Sequence, residues 1–176
     1  KYINSSENKF FKKGYNLYNL DLAIEKDRRI EDLIIVEGYM DVISLYQNSF
    51  ETTVAPLGTA LTNPQIEKAW RYCKNPIICF DGDEAGKSAM QKISVKVLKY
   101  LKPGKSLKFM SLPNSYDPDT FIQNNSLEEF TNYKNSAINL SDFVWNNILD
   151  NQQNTTPEYS ALIDEKIKNS IIYAIY

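Results

Sequence analysis

The sequence predicts an α/β fold: a central, mainly parallel four-stranded sheet flanked by helices, followed by a small C-terminal helical subdomain. Three observations carry this. Four short apolar runs of strand length, at residues 33–36, 52–55, 77–80 and 107–110, alternate with segments of helical spacing. Glu37-Gly38, Pro56 and Asp81-Gly82 close three of those runs. From Ser126 onward Asn, Gln and Tyr become common, helical spacing persists and no convincing strand follows.

Residues 1–32 begin with the turn-rich run Asn4-Ser5-Ser6-Glu7-Asn8. Within 15–25, Leu17, Leu20, Ala23 and Ile24 form a weak apolar stripe suited to a short helix. After the first strand, Met40, Ile43 and Leu45 or Tyr46 recur at helical spacing over 39–46. After the second, Leu57-Gly58-Thr59-Ala60 reads as a loop. Thr62 or Asn63 then caps a helix with Pro64 in its first turn, where the missing N–H costs nothing, and that helix runs to about Tyr72. The third strand leads through Asp81-Gly82-Asp83 to a long helix over about 85–101. Ala89, Ile93, Val97 and Leu101 recur there every four residues until Pro103-Gly104 ends it. The loop at 113–118 leads to a short helix near 119–123. Helical spacing returns over 140–149 and 159–171, with a linker at 150–157.

At 43% hydrophobic and 24% charged residues, the composition is that of a globular protein and not of a disordered one. No stretch approaches the apolar length needed to span a membrane. The chain begins at Lys1 with no secretory signal before it and reads as a piece of a longer protein. It has no histidine and two cysteines, Cys73 and Cys79. Histidine general-base chemistry is therefore excluded, and a Cys/His zinc site, which needs four nitrogen or sulfur ligands, cannot be assembled from these residues. Cys79, inside Ile77-Ile78-Cys79-Phe80, is expected to be a buried free thiol. The net charge is −2, but residues 1–30 hold seven Lys/Arg against four Asp/Glu, and residues 31–176 hold thirteen against eighteen. A basic leading segment before an acidic body suits the holding of phosphates near carboxylates.

Glu37, Asp81 and Asp83 directly follow strands, and Asp117 and Asp119 follow the fourth strand by a short loop. In a parallel sheet the carboxyl ends of the strands lie on one edge, so five carboxylates are expected there. Ionised together they repel, and a bound divalent cation removes that cost. Oxygen-only ligands suit Mg²⁺ or Mn²⁺. Gly82 and Gly38 are expected to let the backbone fold around an ion. Asp-Gly-Asp alone is commonly a polar turn; the convergence gives it weight. A calcium loop counted from Asp81 fails because Lys92 stands where its glutamate is needed. Gly86-Lys87-Ser88 lacks the upstream glycine of a P-loop, and no Gly-x-Gly-x-x-Gly fingerprint is present.

Val36-Glu37-Gly38-Tyr39-Met40-Asp41-Val42 resembles the first signature of the Toprim domain in the form used by bacterial replicative DNA primases, and Phe80-Asp81-Gly82-Asp83-Glu84-Ala85-Gly86 resembles the second. Asp117-Pro118-Asp119 is similar to the primase-type third acidic element. Ala55-Pro56-Leu57-Gly58-Thr59-Ala60-Leu61-Thr62 is similar to the family's loop. Upstream, Lys1-Tyr2-Ile3-Asn4-Ser5 and Phe11-Lys12-Lys13-Gly14 resemble the segment leading into it. The likeness covers roughly residues 1–125 in the family's order. Two departures are Ser6-Glu7-Asn8, where Pro, an acid and Thr are usual, and Pro56, where a small residue is common.

The resemblance implies an N-terminal basic segment of the primase core at 1–32, a Toprim domain at 33–125 and a helical subdomain at 126–176. It implies metal-dependent nucleotidyl transfer that makes RNA primers on single-stranded DNA from NTPs. Glu37, Asp81 and Asp83 are then the first metal ligands, and Asp117 and Asp119 join them. Lys13 acts beside the first three in catalysis, and Lys1, Asn4, Lys13, Gly38, Gly58 and Thr59 bind nucleotide or nucleic acid. It further implies a bacterial cytoplasmic location, zinc in a separate amino-terminal domain, and a replicative helicase held through a separate carboxy-terminal domain. A fragment without those parts is expected to make little primer alone. A Toprim nuclease and a non-catalytic Toprim scaffold share some of the same motifs.

Overall fold

A computed structural model describes residues 12–58 and 60–152. Four parallel strands form its centre, in the order β3 (Thr53–Pro56), β2 (Ile34–Ile35), β4 (Ile77–Phe80), β5 (Lys108–Ser111). Two further strands extend the sheet antiparallel at its edges. β1 (Leu17–Tyr18) pairs with β3, and β6 (Ile138–Asn139) pairs with β5. The sheet is thus six-stranded and mixed, correcting the four-stranded expectation. β1 and β6 are two residues long and only partly buried, so unlike the fully buried central strands they leave no apolar run to be read in the sequence.

The helices are α1 (Leu20–Lys26), α2 (Tyr39–Gln47), α3 (Asn63–Ala69), α4 (Glu84–Val97), α5 (Pro118–Asn124), α6 (Leu127–Asn135) and α7 (Leu140–Gln152). Successive strand residues face opposite sides, and the core divides accordingly. Ile35, Val54, Ile78, Phe80 and Phe109 pack with residues of α1, α3, α4 and α7. Ile34, Val36, Ala55, Ile77, Cys79 and Met110 pack with residues of α2, α5 and α6. With both faces covered, the strands read as continuous apolar runs, as parallel strands do. Cys73 and Cys79 are both buried free thiols.

The helix expected over 15–25 is interrupted. Asn19 adopts a left-handed conformation (φ 65°) between β1 and α1, and its side-chain amide donates to the Thr53 carbonyl at 2.9 Å. Asn tolerates this region better than most residues, which allows the sharp change of direction. Pro56 is the last residue of β3 rather than its stop. The long helix passes at Leu98 into a short 3-10 turn, and α3 ends at Ala69, before Tyr72. α7 runs through 150–152, where a linker was expected; the rest of that linker and the helix expected over 159–171 lie outside the described residues.

α6 and β6 fall where no strand and only later helices were anticipated. Ser126 and Glu129 form a reciprocal capping box: the Ser126 hydroxyl accepts from the Glu129 amide at 3.1 Å, and the Ser126 amide donates to Glu129 at 3.2 Å. Phe130 then anchors α6 edge-on against Phe50, centroids 4.7 Å apart. Ser126→Ala is expected to cost about 1 kcal/mol, the usual worth of such a cap, measurable as a lower urea midpoint at unchanged slope.

Candidate active site

The carboxyl ends of the four parallel strands lie on one edge. β2 delivers Glu37 and Gly38, and β4 delivers Asp81. β5 leads to the loop before Asp117, while β3 leads to Leu57 and Gly58. The expected acids are therefore gathered by topology, and two loops bring them closer still.

Asp81 is half-buried, and its amide donates to the exposed Glu37 carboxylate at 3.4 Å. Gly82 is buried and donates its N–H to the Tyr116 carbonyl at 2.8 Å. A Cβ on Gly82 would lie 2.1 Å from the Pro113 carbonyl oxygen, so the loop after β4 rests directly on the loop after β5. Gly82 is there to permit this contact rather than to lend flexibility. Lys87, on the first turns of α4, reaches the same loop, with its ammonium 2.6 Å from Asn114 Oδ1 and 3.0 Å from Glu84 Oε1.

Asp83 caps α4, accepting from the Gly86 amide at 2.8 Å. Asp117 caps α5, accepting from the amide and hydroxyl of Thr120, both at 2.6 Å. Asp119 accepts from the Gln123 side-chain amide at 2.5 Å. Each cap engages one carboxylate oxygen. Among the described residues no group of three acidic side chains is drawn together tightly enough to cage an ion as it stands.

The sequence reading passed over Asp41 as a functional group. It is only 8% exposed, lies one turn into α2, and accepts from the Gly38 amide at 3.0 Å. The Asp119 backbone also favours its ionised form, which puts Asp41 between the Glu37-Gly38 turn and the third acidic segment. An acid three residues into a helix that starts at Gly38 is a sequence signal for this arrangement.

Burial pushes the Asp81 carboxyl up to about 7, reinforced by the charges of Glu37, Asp41, Asp117 and Asp83. Burial likewise raises Asp41 to about 6, with the charges of Asp117 and Asp119 adding to it against the bond from the Gly38 amide and the nearby Asp119 backbone. Glu37, although its side chain is largely exposed, is raised by partial desolvation of its carboxyl and by Asp83, while the Asp81 amide opposes the shift. Asp81 thus feels acids of all three segments. An all-oxygen donor set whose members resist joint ionisation is chemically suited to a hard divalent cation.

Lys13 opens a 3-10 turn, Lys13–Tyr15, that precedes β1. Because β1 runs antiparallel to β3 with Leu17 opposite Pro56, this turn lies beyond the same carboxyl edge. Gly38 caps α2, and Gly58 takes a left-handed conformation (φ 71°) that suits glycine. Lys1, Asn4 and Thr59 lie outside the described residues.

Residues 31–109 match the Toprim domain. The chain is 40% identical over 148 residues to the DNA primase of Pasteurella multocida, covering 84% of this chain and 25% of that protein. It superposes on the primase catalytic core of E. coli with a TM-score of 0.89 at 36% identity, covering 98% of this chain and 55% of that one. The DnaG primase catalytic domain bound to single-stranded DNA gives the same TM-score and identity, again covering 98% of this chain and 55% of that one. The chain spans about a quarter of the length of the curated relatives it matches.

Proposed function

Because this chain is a Toprim-containing domain homologous to the catalytic core of bacterial DNA primases, we propose that it carries the nucleotidyl-transfer site of such an enzyme, acting on NTPs over a single-stranded DNA template with Mg²⁺ or Mn²⁺. The observation that carries the reading is the meeting of three acidic segments at one sheet edge, with Glu37 against the Asp81 amide and Asp41 bound to the Gly38 turn. Residues 33–125 form the catalytic unit, flanked by the basic segment 1–32 and the segment 126–176.

Glu37, Asp81 and Asp83 hold one ion, and Asp117 and Asp119 support binding on the side of the triphosphate. When bound, such ions neutralise phosphate charge and acidify the attacking 3′-hydroxyl. Asp41 fixes the turn that carries Glu37, while Gly82 keeps the second and third segments in register. Lys13, with Lys1, faces the phosphates as a mobile point charge, and Asn4, Gly38, Gly58 and Thr59 border the nucleotide or template. The relative solved with single-stranded DNA supports the choice of template. A replicative helicase is the partner expected of an enzyme of this family.

Calorimetric titration with Mn²⁺ tests this reading. The unaltered protein is expected to bind, and the double variant Asp81→Ala, Asp83→Ala to bind at least about tenfold more weakly, a loss of about 1.4 kcal/mol or more. Equal affinity of the two proteins would refute the assignment. Products formed on single-stranded DNA with NTPs separate the reactions: extension marks a primase and strand cleavage a nuclease.

A further inference from the structure

We propose that Gln65 is a positioning residue of the nucleotide site, acting through the turn that carries Lys13. The inference rests on the role given to Lys13 above. Gln65 stands in the first turn of α3, and its exposure is 0%. A buried polar side chain is kept only where its hydrogen-bonding capacity is met, and here both of its amide protons go to one foreign segment.

The Gln65 amide nitrogen donates to the Lys13 carbonyl at 3.0 Å and to the Asn16 carbonyl at 2.8 Å, so its two protons bracket the 3-10 turn. The amide oxygen accepts from the Thr62 backbone N–H at 2.9 Å, which fixes the rotamer. The Thr62 hydroxyl donates to the Gly14 carbonyl at 2.5 Å. Lys68, one turn further along, reaches Asn16 Oδ1 at 2.9 Å. Three residues at successive i, i+3 positions, the cap Thr62 and then Gln65 and Lys68, thus join α3 to residues 13–16, more than 45 residues away in the chain.

Helix capping alone does not require this. Thr62 and Gln65 already satisfy each other at the helix start, and an apolar residue at 65 would fill the same space. The two donors instead hold the carbonyls at the start and the cap of the turn that Lys13 opens. The start of α3 also follows the loop containing Gly58 and is bound to the turn of Lys13. A lysine recruited to phosphate loses side-chain entropy on binding, and a fixed backbone origin reduces that loss.

The test is a double-mutant cycle on Mn²⁺-dependent binding of a fluorescent ATP analogue to the protein. Lys13→Ala is expected to weaken binding about tenfold, Gln65→Met by a similar factor of about three to ten, and the double variant no further than Lys13→Ala alone. Thr62→Val, which removes the hydroxyl that holds Gly14 and caps α3, is expected to give a smaller loss of binding with the same dependence on Lys13, and serves if Gln65→Met does not fold. Equal weakening by Gln65→Met or Thr62→Val in the presence and absence of the lysine, or a lowered Tm with unchanged binding, would overturn the positioning role and leave the Lys13 assignment standing. Unchanged binding in Lys13→Ala alone would overturn both.

Discussion

Gly82→Ala is expected to be among the most damaging single-methyl changes in this chain, costing about 3 kcal/mol and lowering Tm by on the order of 10 °C. The added Cβ would stand 2.1 Å from the Pro113 oxygen and 2.9 Å from the Leu112 oxygen. Both obstacles are backbone, so no side-chain rotation relieves them. The loop after β4 must move away from the loop after β5, and the 2.8 Å bond from the Gly82 amide to Tyr116 is strained or lost with it. The same displacement separates Asp81 from Asp117, so Mn²⁺ affinity should fall along with stability. Gly104→Ala provides the contrast. Gly104 has the positive φ (71°) that alanine dislikes, but nothing lies within 4 Å of its Cβ position. Its cost should be only the conformational one, about 1 kcal/mol, with Mn²⁺ binding unchanged. Thermal melts of the three proteins decide the matter: a Gly82→Ala variant as stable as Gly104→Ala would show that the two acidic loops are not in contact.

That contact marks where sequence reading reached its limit. Asp-Gly-Asp after an apolar run announces a break in a strand and a polar turn, and both are present. What Gly82 meets is set by a loop thirty residues later, which local spacing cannot reveal. The four central strands were legible because both of their faces are buried, which makes each a continuous apolar run. The edge strands were not, since β1 and β6 have two residues each and exist through pairing with β3 and β5. The placement of Glu37, Asp81, Asp83, Asp117 and Asp119 at one edge followed from strand order alone. The burial of Asp41 and Gln65 did not, because a polar side chain in a helical segment reads as solvent-facing until the packing of the opposite element is known. The Ser126/Glu129 capping box was visible in the sequence and went unused, since the polar texture around it obscured α6.

Asp81→Asn should stabilise the metal-free protein above neutral pH while removing much of its response to cations. In the unfolded chain an aspartate titrates near 3.9. In the fold, burial and the neighbouring acids hold Asp81 at about 7, and Asp41 at about 6. The folded state therefore binds protons more tightly than the unfolded one, and stability is greatest while these carboxyls remain protonated. It is lost as pH rises through the two folded values. In EDTA, the protein is thus expected to become less stable from about pH 4, where the unfolded carboxyls ionise, to about pH 7, where the folded ones have done so. Asp81 is only half-buried, and solvent screening reduces its share to about 1–2 kcal/mol. Asparagine has nearly the same shape and never ionises, so it removes that share at high pH and changes little at low pH. Urea unfolding across this range should show a flatter pH dependence for the variant, with Asp41 and Glu37 supplying the remaining slope. Adding Mg²⁺ should restore the lost stability of the unaltered protein at high pH, because a ligand that binds only the folded state stabilises it. It should do far less for Asp81→Asn. Parallel pH profiles of the two proteins in EDTA, or equal gains from Mg²⁺, would mean that Asp81 bears neither the repulsion nor the ion.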